Sequence, residues 1–310
     1  MTAKPLSAIR PEVRKTPRRM MVYGFPGVGK TTLAASIPGA VFICAEANGA
    51  DELAVARYPE PISDLAGLHT AIERLRLEKH DFTELVIDKL DDVEQWVFAA
   101  VMTRDPRKPA SIDLVFGGYD KGPNAAVDEW RRLAAELEKL QAARGMGITL
   151  IAGCTRHKFK NPGGADYQMW GPNIHLKASE FLRGWCKDVL FAYVEGGAYE
   201  HETKKWVGGS TGVRLLRTRY DAAHVAKNRH GLKDPMPLDW LTLDAAMSGR
   251  EVEAPAVIAE RIKSKLAEIG DDVLTANVSK HIAAAKDSPA MSVIENKVNA
   301  IAAERKGATP

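Results

Sequence analysis

MMVYGFPGVGKTTLAASI, Met20 to Ile37, is the stretch on which the fold of this 310-residue chain turns. Its first residues are apolar without interruption, as a strand buried on both faces requires, and its last residues have helical character. Between them GFPGVGKT, Gly24 to Thr31, matches GxxxxGK[ST] in full. Glycines at those places let consecutive backbone N–H groups turn inward, and the following helix adds the positive end of its dipole, so the loop predicts a phosphate cradle. Gly24, Pro26, Gly27, Val28, Gly29, Lys30, Thr31 and Thr32 are the expected nucleotide contacts. Lys30 is expected to reach the β and γ phosphates of ATP, and Thr31 to ligate Mg2+ through its hydroxyl.

Outward from this loop, short apolar runs recur at Val41 to Ala45, Leu85 to Asp88, Gly147 to Gly153 and Asp188 to Val194. Helical patterns separate them, at Ser63 to Glu78, Asp91 to Thr103 and Ala125 to Arg144. Strands alternating with helices predict an α/β fold, a mostly parallel sheet covered on both faces. From Gly196 to Ala226 short alternating runs broken by glycine pairs predict antiparallel hairpins added at the sheet edge. LVID, Leu85 to Asp88, ends a strand in a carboxylate and supplies the second magnesium anchor that a phosphate site needs. Beyond Met247-Ser248-Gly249, apolar residues return at helical spacing in three pieces, 257–269, 273–282 and 294–301. The expected organisation is a basic segment over 1–19, an ATPase core over 20–249 and a small helical module over 250–310.

Hydrophobic residues make up 45% of the chain and charged residues 27%, which excludes a disordered protein. No run approaches the roughly 18 apolar residues that span a bilayer, so no membrane is expected and the cytoplasm is the default location. Cys44, Cys154 and Cys186 are odd in number and widely spaced, which argues against disulfides or zinc and for reduced core thiols. The net charge of +3 is unevenly placed, with cations concentrated in residues 1–19 and again in 156–187. Both segments are candidate surfaces for a polyanion.

VFICAEANGAD, Val41 to Asp51, places Glu46 just past the second strand. Here the chain resembles the RecA-type recombinases, which implies that Glu46 polarises the water attacking the γ phosphate and so joins Lys30 and Asp88 as catalytic residues. AAA+ proteins usually carry that glutamate beside the Walker B aspartate, where this chain has Lys89. ITLIAGCTRHKFKNPGG, Ile148 to Gly164, resembles the strand, polar sensor and DNA-binding loop of RecA. Cys154, Thr155 or His157 stands in the sensor's place, and Arg156, His157, Lys158, Phe159 and Lys160 are the implied DNA contacts. GPNIHLKASEFLRGWCKDVLFA, Gly171 to Ala192, resembles the helix and strand that follow. HVAKNRHGL, His224 to Leu232, resembles the segment whose basic residues reach the neighbouring subunit's ATP, which assigns Lys227 and Arg229 to a contact in trans. The resemblance covers about residues 20–240 and is strongest to the phage-encoded RecA-like ATPases of the Sak single-strand annealing group, a phage nucleotide-binding AAA-type family. It implies a bacterial host's cytoplasm, and as partners single-stranded DNA, further copies of the chain in a ring or filament, and a single-strand-binding or other replication protein.

On chemistry alone, the stretch Arg156 to Trp170 combines cations with Phe159, Tyr167 and Trp170, which suits stacked bases and a phosphate backbone. A lid over the nucleotide or an ordinary surface loop shares that composition. The leading expectation is an ATP-dependent single-stranded DNA-binding recombinase that promotes annealing or strand exchange. The alternative is a helicase loader or regulatory ATPase whose helical module contacts a protein partner; a small-molecule kinase lacks any acceptor-site signature.

Overall fold

The computed structural model describes residues 16–45, 50–200, 206–250 and 255–285, together with 291, 294, 295, 297–299, 301 and 302. In chain order these form β1 (Arg19–Gly24), α1 (Lys30–Ala35), β2 (Ala40–Cys44), β3 (Ala56–Arg57), α2 (Leu65–Leu77), β4 (Glu84–Asp88), α3 (Leu90–Met102) and α4 (Lys121–Arg144). They continue with β5 (Gly147–Ala152), β6 (Cys154–Phe159), β7 (Tyr167–Pro172), α5 (Leu176–Trp185), β8 (Asp188–Glu200), β9 (Trp206–Arg217), β10 (Met236–Pro237), α6 (Trp240–Ser248), α7 (Pro255–Ile269) and α8 (Asp272–Ala284).

Eight strands make one sheet in the order β10-β9-β8-β1-β5-β4-β2-β3. From β8 to β3 every pairing is parallel, and β9 and β10 add the antiparallel edge. The fold is thus the expected α/β sheet of a P-loop nucleoside triphosphatase. Because side chains alternate across a strand, β1 sends Met21 and Tyr23 into one core with α2, α3, α4 and α5, and Met20 and Val22 into a second with α1 and α6. That double burial is why the strand reads as an unbroken apolar run. In a third cluster Ile258, Ile262 and Leu266 of α7 meet Met291 and Val298, with Leu241 of α6 against it. Among the described residues no helix is long and apolar enough to cross a membrane.

The stretch 154–172 is not a loop. β6 and β7 form a separate antiparallel ribbon, in register from Cys154 opposite Pro172 to Phe159 opposite Tyr167. Alternation therefore divides the expected DNA contacts between two faces: Arg156 and Lys158 share one with Trp170, and His157 and Phe159 share the other with Tyr167. Lys89, next to Asp88, is the N-cap of α3, 3.9 Å from Asp92, and the Asp88–Lys89 peptide is cis.

Most of the basic N-terminal segment, residues 1–15, lies outside the described part; of its cations only Arg18 and Arg19 are described, and both are paired. Arg18 pairs with Glu84 at 2.9 Å and lies over Trp240, while Arg19 pairs with Glu138 at 2.7 Å and lies over Trp185.

Candidate nucleotide-binding site

β1 ends in the middle of the sheet, and the chain must turn at once to begin α1 on one face. Gly27 and Gly29 make that turn with φ of 73° and 104°, values that side-chain-bearing residues rarely adopt. Lys30 opens α1 and folds back over the loop, donating to the carbonyls of Gly24 and Phe25 at 2.9 Å each. Burial holds its ammonium below the usual lysine range, against the opposing pull of Asp88. An ammonium in that state is ready to exchange two carbonyls for phosphate oxygens.

Asp88 ends β4, two strands away from β1, and is 6% exposed. Thr31 donates its hydroxyl to Asp88 Oδ2 at 2.8 Å. The parallel register brings these two residues, 57 apart in sequence, to the same end of the sheet. A hydroxyl and a carboxylate are the hard oxygen ligands that magnesium takes, and magnesium commonly completes its shell with water and phosphate oxygens. Among the described residues no group of three His, Cys, Asp or Glu could hold a metal by itself. A cavity of about 580 Å³ opens here, lined by Gly27, Gly29, Lys30, Thr31, Thr32 and, from a distant part of the chain, Arg214. No sequence signal pointed to Arg214, because its position depends on the register of the antiparallel edge.

Glu46 lies outside the described residues. Asp91, the next carboxylate beyond Asp88, has both oxygens occupied: Oδ2 accepts from the Gly153 N–H at 2.8 Å and Oδ1 from Asn173 at 2.7 Å. It ties the start of α3 to the end of β5 and to the foot of the ribbon, a positioning arrangement rather than a base. Beside it, Glu94 accepts the His175 N–H at 2.8 Å at the start of α5, and burial pushes its carboxyl up to about 7.

Of the three sensor candidates, Cys154 is the one electrostatically linked to Lys30; burial pushes its thiol up to about 11, with Lys30 pulling the other way. His157 Nε2 is 3.0 Å from the Pro172 carbonyl, its hydrogen-bond partner across the ribbon. Cys186 is buried, whereas Cys44 and Cys154 are half-buried, so only the first is a core thiol.

The ribbon is fastened to β1. Tyr23 donates its hydroxyl to the Val225 carbonyl with the Trp170 carbonyl 3.2 Å away, and burial pushes the phenol far above its ordinary range. Phe25, inside the phosphate loop, meets the Trp170 ring edge-on at 4.8 Å, and the Arg156 guanidinium lies 5.7 Å from the same indole. Lys158 is paired with Asp166 at 3.0 Å, leaving Arg156 and Lys160 as exposed ribbon cations without a carboxylate partner among the described residues.

Lys227 is placed differently from the expectation of a cation facing outward beside Arg229. Its ammonium donates to the carbonyls of Arg183, Gly184 and Cys186, at 2.8, 3.1 and 2.6 Å, and so caps the C-terminal end of α5. The backbone of Lys227 bridges Val189 at the start of β8, the end of the sheet opposite the phosphate loop. Arg229 is exposed, its backbone N–H donating to Asp188.

Among curated proteins none matches the chain. Of the solved structures, the crystal structure of the RadB recombinase is similar at 15% identity and a TM-score of 0.37, over 68% of this chain and 86% of that one. A likeness of that size does not carry the assignment. The family match does: the model of an AAA domain matches residues 16–230, which include the phosphate loop, Asp88 and the ribbon. Nucleotide binding, usually with magnesium, comes with that family, and the chain belongs to it as an AAA domain P-loop ATPase.

Proposed function

We propose that the protein is an ATP-dependent single-stranded DNA-binding recombinase, in which the nucleotide bound at Gly24 to Thr31 governs the grip of the β6–β7 ribbon on DNA. The observation that carries this reading is the Phe25 to Trp170 contact, one ring belonging to the phosphate loop and the other to the basic face of the ribbon. Lys30 now holds the carbonyl of that same Phe25. When a triphosphate draws the ammonium away, the backbone carrying Phe25 loses a donor, and the ring against Trp170 is the nearest structure to respond. Arg156 over the indole gives the ribbon a cation beside a stacking face, the pairing that single strands use.

In this reading Lys30, Thr31 and Asp88 hold ATP and magnesium, and Glu46 is the base that prepares the attacking water. Annealing or strand exchange in phage recombination, in the manner of the Sak group, is the activity we assign, with further copies of the chain in a ring or filament as partners. A contact in trans rests on Arg229, since Lys227 is occupied within its own subunit. The test is retention of a fluorescent oligonucleotide with and without ATP and magnesium. Retention that requires ATP supports the proposal; no DNA binding at any salt concentration would turn the assignment to a loader or regulatory ATPase acting on a protein partner.

A further inference from the structure

Arg214 lies on β9, opposite Val194 of β8. Leu216, two residues on and therefore on the same face of the strand, is buried in the core that contains Val28 and Leu33. Because β9 runs antiparallel to β8, the step from Leu216 back to Arg214 moves along that face toward the end of the sheet where the phosphate loop sits. The guanidinium arrives directly on the loop: a Cβ added to Gly29 would lie 3.1 Å from Arg214 Nη1 and 3.8 Å from its Cδ. The backbone is fixed there by the Leu238 N–H, which donates to the Arg214 carbonyl at 3.1 Å.

Among the described residues the guanidinium has no anion paired with it. Asp51 and Glu52 line the same cavity, yet neither pairs with Arg214; Asp51 faces Arg57 at 4.0 Å. The next arginine on the strand, Arg217, points to the other face, where it pairs with Asp234 and lies over Tyr193. Among the described residues Arg214 has no carboxylate partner, and it shares its cavity with Lys30, Thr31 and Thr32. A permanently charged planar fork with five donors, held over a phosphate loop, suits two oxygens of one phosphate chain.

We propose that Arg214 is a second phosphate-binding cation, supplied by the same subunit, that closes on the nucleotide's phosphates from the side of Gly29 while Lys30 holds them from within the loop. This rests on the phosphate-loop reading of Gly24 to Thr31. It makes the antiparallel edge part of the nucleotide site, so that β9 is drawn onto the loop when nucleotide binds.

The test measures binding of ATP and of inorganic tripolyphosphate, each with magnesium, to the wild type and to Arg214→Ala, Arg214→Lys and Lys30→Ala. Arg214→Ala should weaken both ligands by about 10- to 100-fold, as loss of a charge-assisted pair does, and Arg214→Lys should recover part of the loss. Unchanged thermal unfolding of the nucleotide-free Arg214→Ala protein keeps the comparison clean, and Arg214→Lys serves if the alanine variant is unstable. If ATP binding falls but tripolyphosphate binding does not, Arg214 contacts the nucleoside and the phosphate assignment is overturned. If both ligands bind Arg214→Ala and Arg214→Lys as they do wild type while Lys30→Ala loses them, the inference fails and the phosphate loop stands. If Lys30→Ala also binds normally, the phosphate-loop reading itself fails.

Discussion

The two ends of the central sheet use their cations in opposite ways. At the end where the parallel strands begin, Arg18 holds buried Glu84, Arg19 holds Glu138, Lys187 donates to the Thr16 and Pro17 carbonyls, and Lys227 caps α5. At the end where those strands finish, Lys30 is held by two carbonyls that a phosphate can replace, and Arg156, Lys160 and Arg214 have no carboxylate among the described residues. Ligands of open α/β sheets bind beyond the carboxyl ends of the strands, and here the same division is written in charge. Cations at the first end are taken up by carboxylates and carbonyls of the chain itself; those at the second are, in the proposed reading, left for an anion from outside.

Substitutions at the first end should therefore cost stability and spare binding. The largest effect is expected for Arg18→Met, which leaves Glu84 buried beside Thr149 without its cation and should lower unfolding stability by about 3–5 kcal/mol. Burial already raises the Glu84 carboxyl above its ordinary range, with Arg18 opposing. Without Arg18 that opposing pull is lost and the carboxyl rises further. Its loss of stability relative to wild type should then be full above the variant's native value and shrink as pH falls through that value toward the wild type's own, less raised one. Denaturant midpoints measured from pH 5 to 8 check both size and sign; a pH-independent loss would show that the charge of Glu84 is not the cause.

Lys30→Ala is the mirror image. ATP affinity should fall about a hundredfold or more, equivalent to about 2.7 kcal/mol, while the unfolding midpoint stays near that of the wild type, because only two exchangeable carbonyl contacts are lost. Calorimetric titration beside thermal unfolding separates the two quantities. Lys227→Met belongs again with Arg18: three carbonyls at the end of α5 lose their donor, at a cost of roughly 1–3 kcal/mol, and nucleotide affinity should be unchanged. A Lys227→Met protein of normal stability whose ATPase activity alone collapses would instead restore a role for Lys227 in trans.

How much of this contrast was legible in the sequence depends on how local the cause is. Gly24 to Thr31 was legible because phosphate chemistry demands fixed residue types within eight consecutive positions, and Asp88 because, although many strands end in Asp, one that does so at this distance after a phosphate loop stands out. The strands were legible because both faces are buried. The ribbon was misread as a loop: the turn residues Asn161 to Gly164 drew attention from the alternation on either side of them, which is itself a hairpin pattern. Arg18, Arg19 and Lys227 looked like surface charge because a sequence shows a cation's presence but not the carboxylate or carbonyls that take up its head. Arg214 was invisible for the converse reason, since only the register of β8 with β9 places it on Gly29.

A smaller effect separates the cations of the ribbon itself. Arg156→Ala together with Lys160→Ala should weaken oligonucleotide binding and flatten its salt dependence by about 1.4 in the slope of log affinity against log salt, at roughly 0.7 for each single-strand phosphate contact. Lys158→Ala, which releases Asp166 as it removes a cation, should also weaken binding. Titrations at several salt concentrations decide whether the ribbon carries the DNA; an unaltered slope in the Arg156/Lys160 variant would place the DNA elsewhere.

The claim that the phosphate loop and the ribbon act as one device is tested most directly at Phe25, the side chain that joins them. Oligonucleotide affinity should be measured with and without ATP and magnesium, for the wild type and for Phe25→Ala, with ATP affinity determined alongside. The account predicts that ATP tightens DNA binding about tenfold or more in the wild type, and that Phe25→Ala still binds ATP while its DNA affinity no longer responds to it. An equal response to ATP in both proteins, or no response in the wild type, would contradict it.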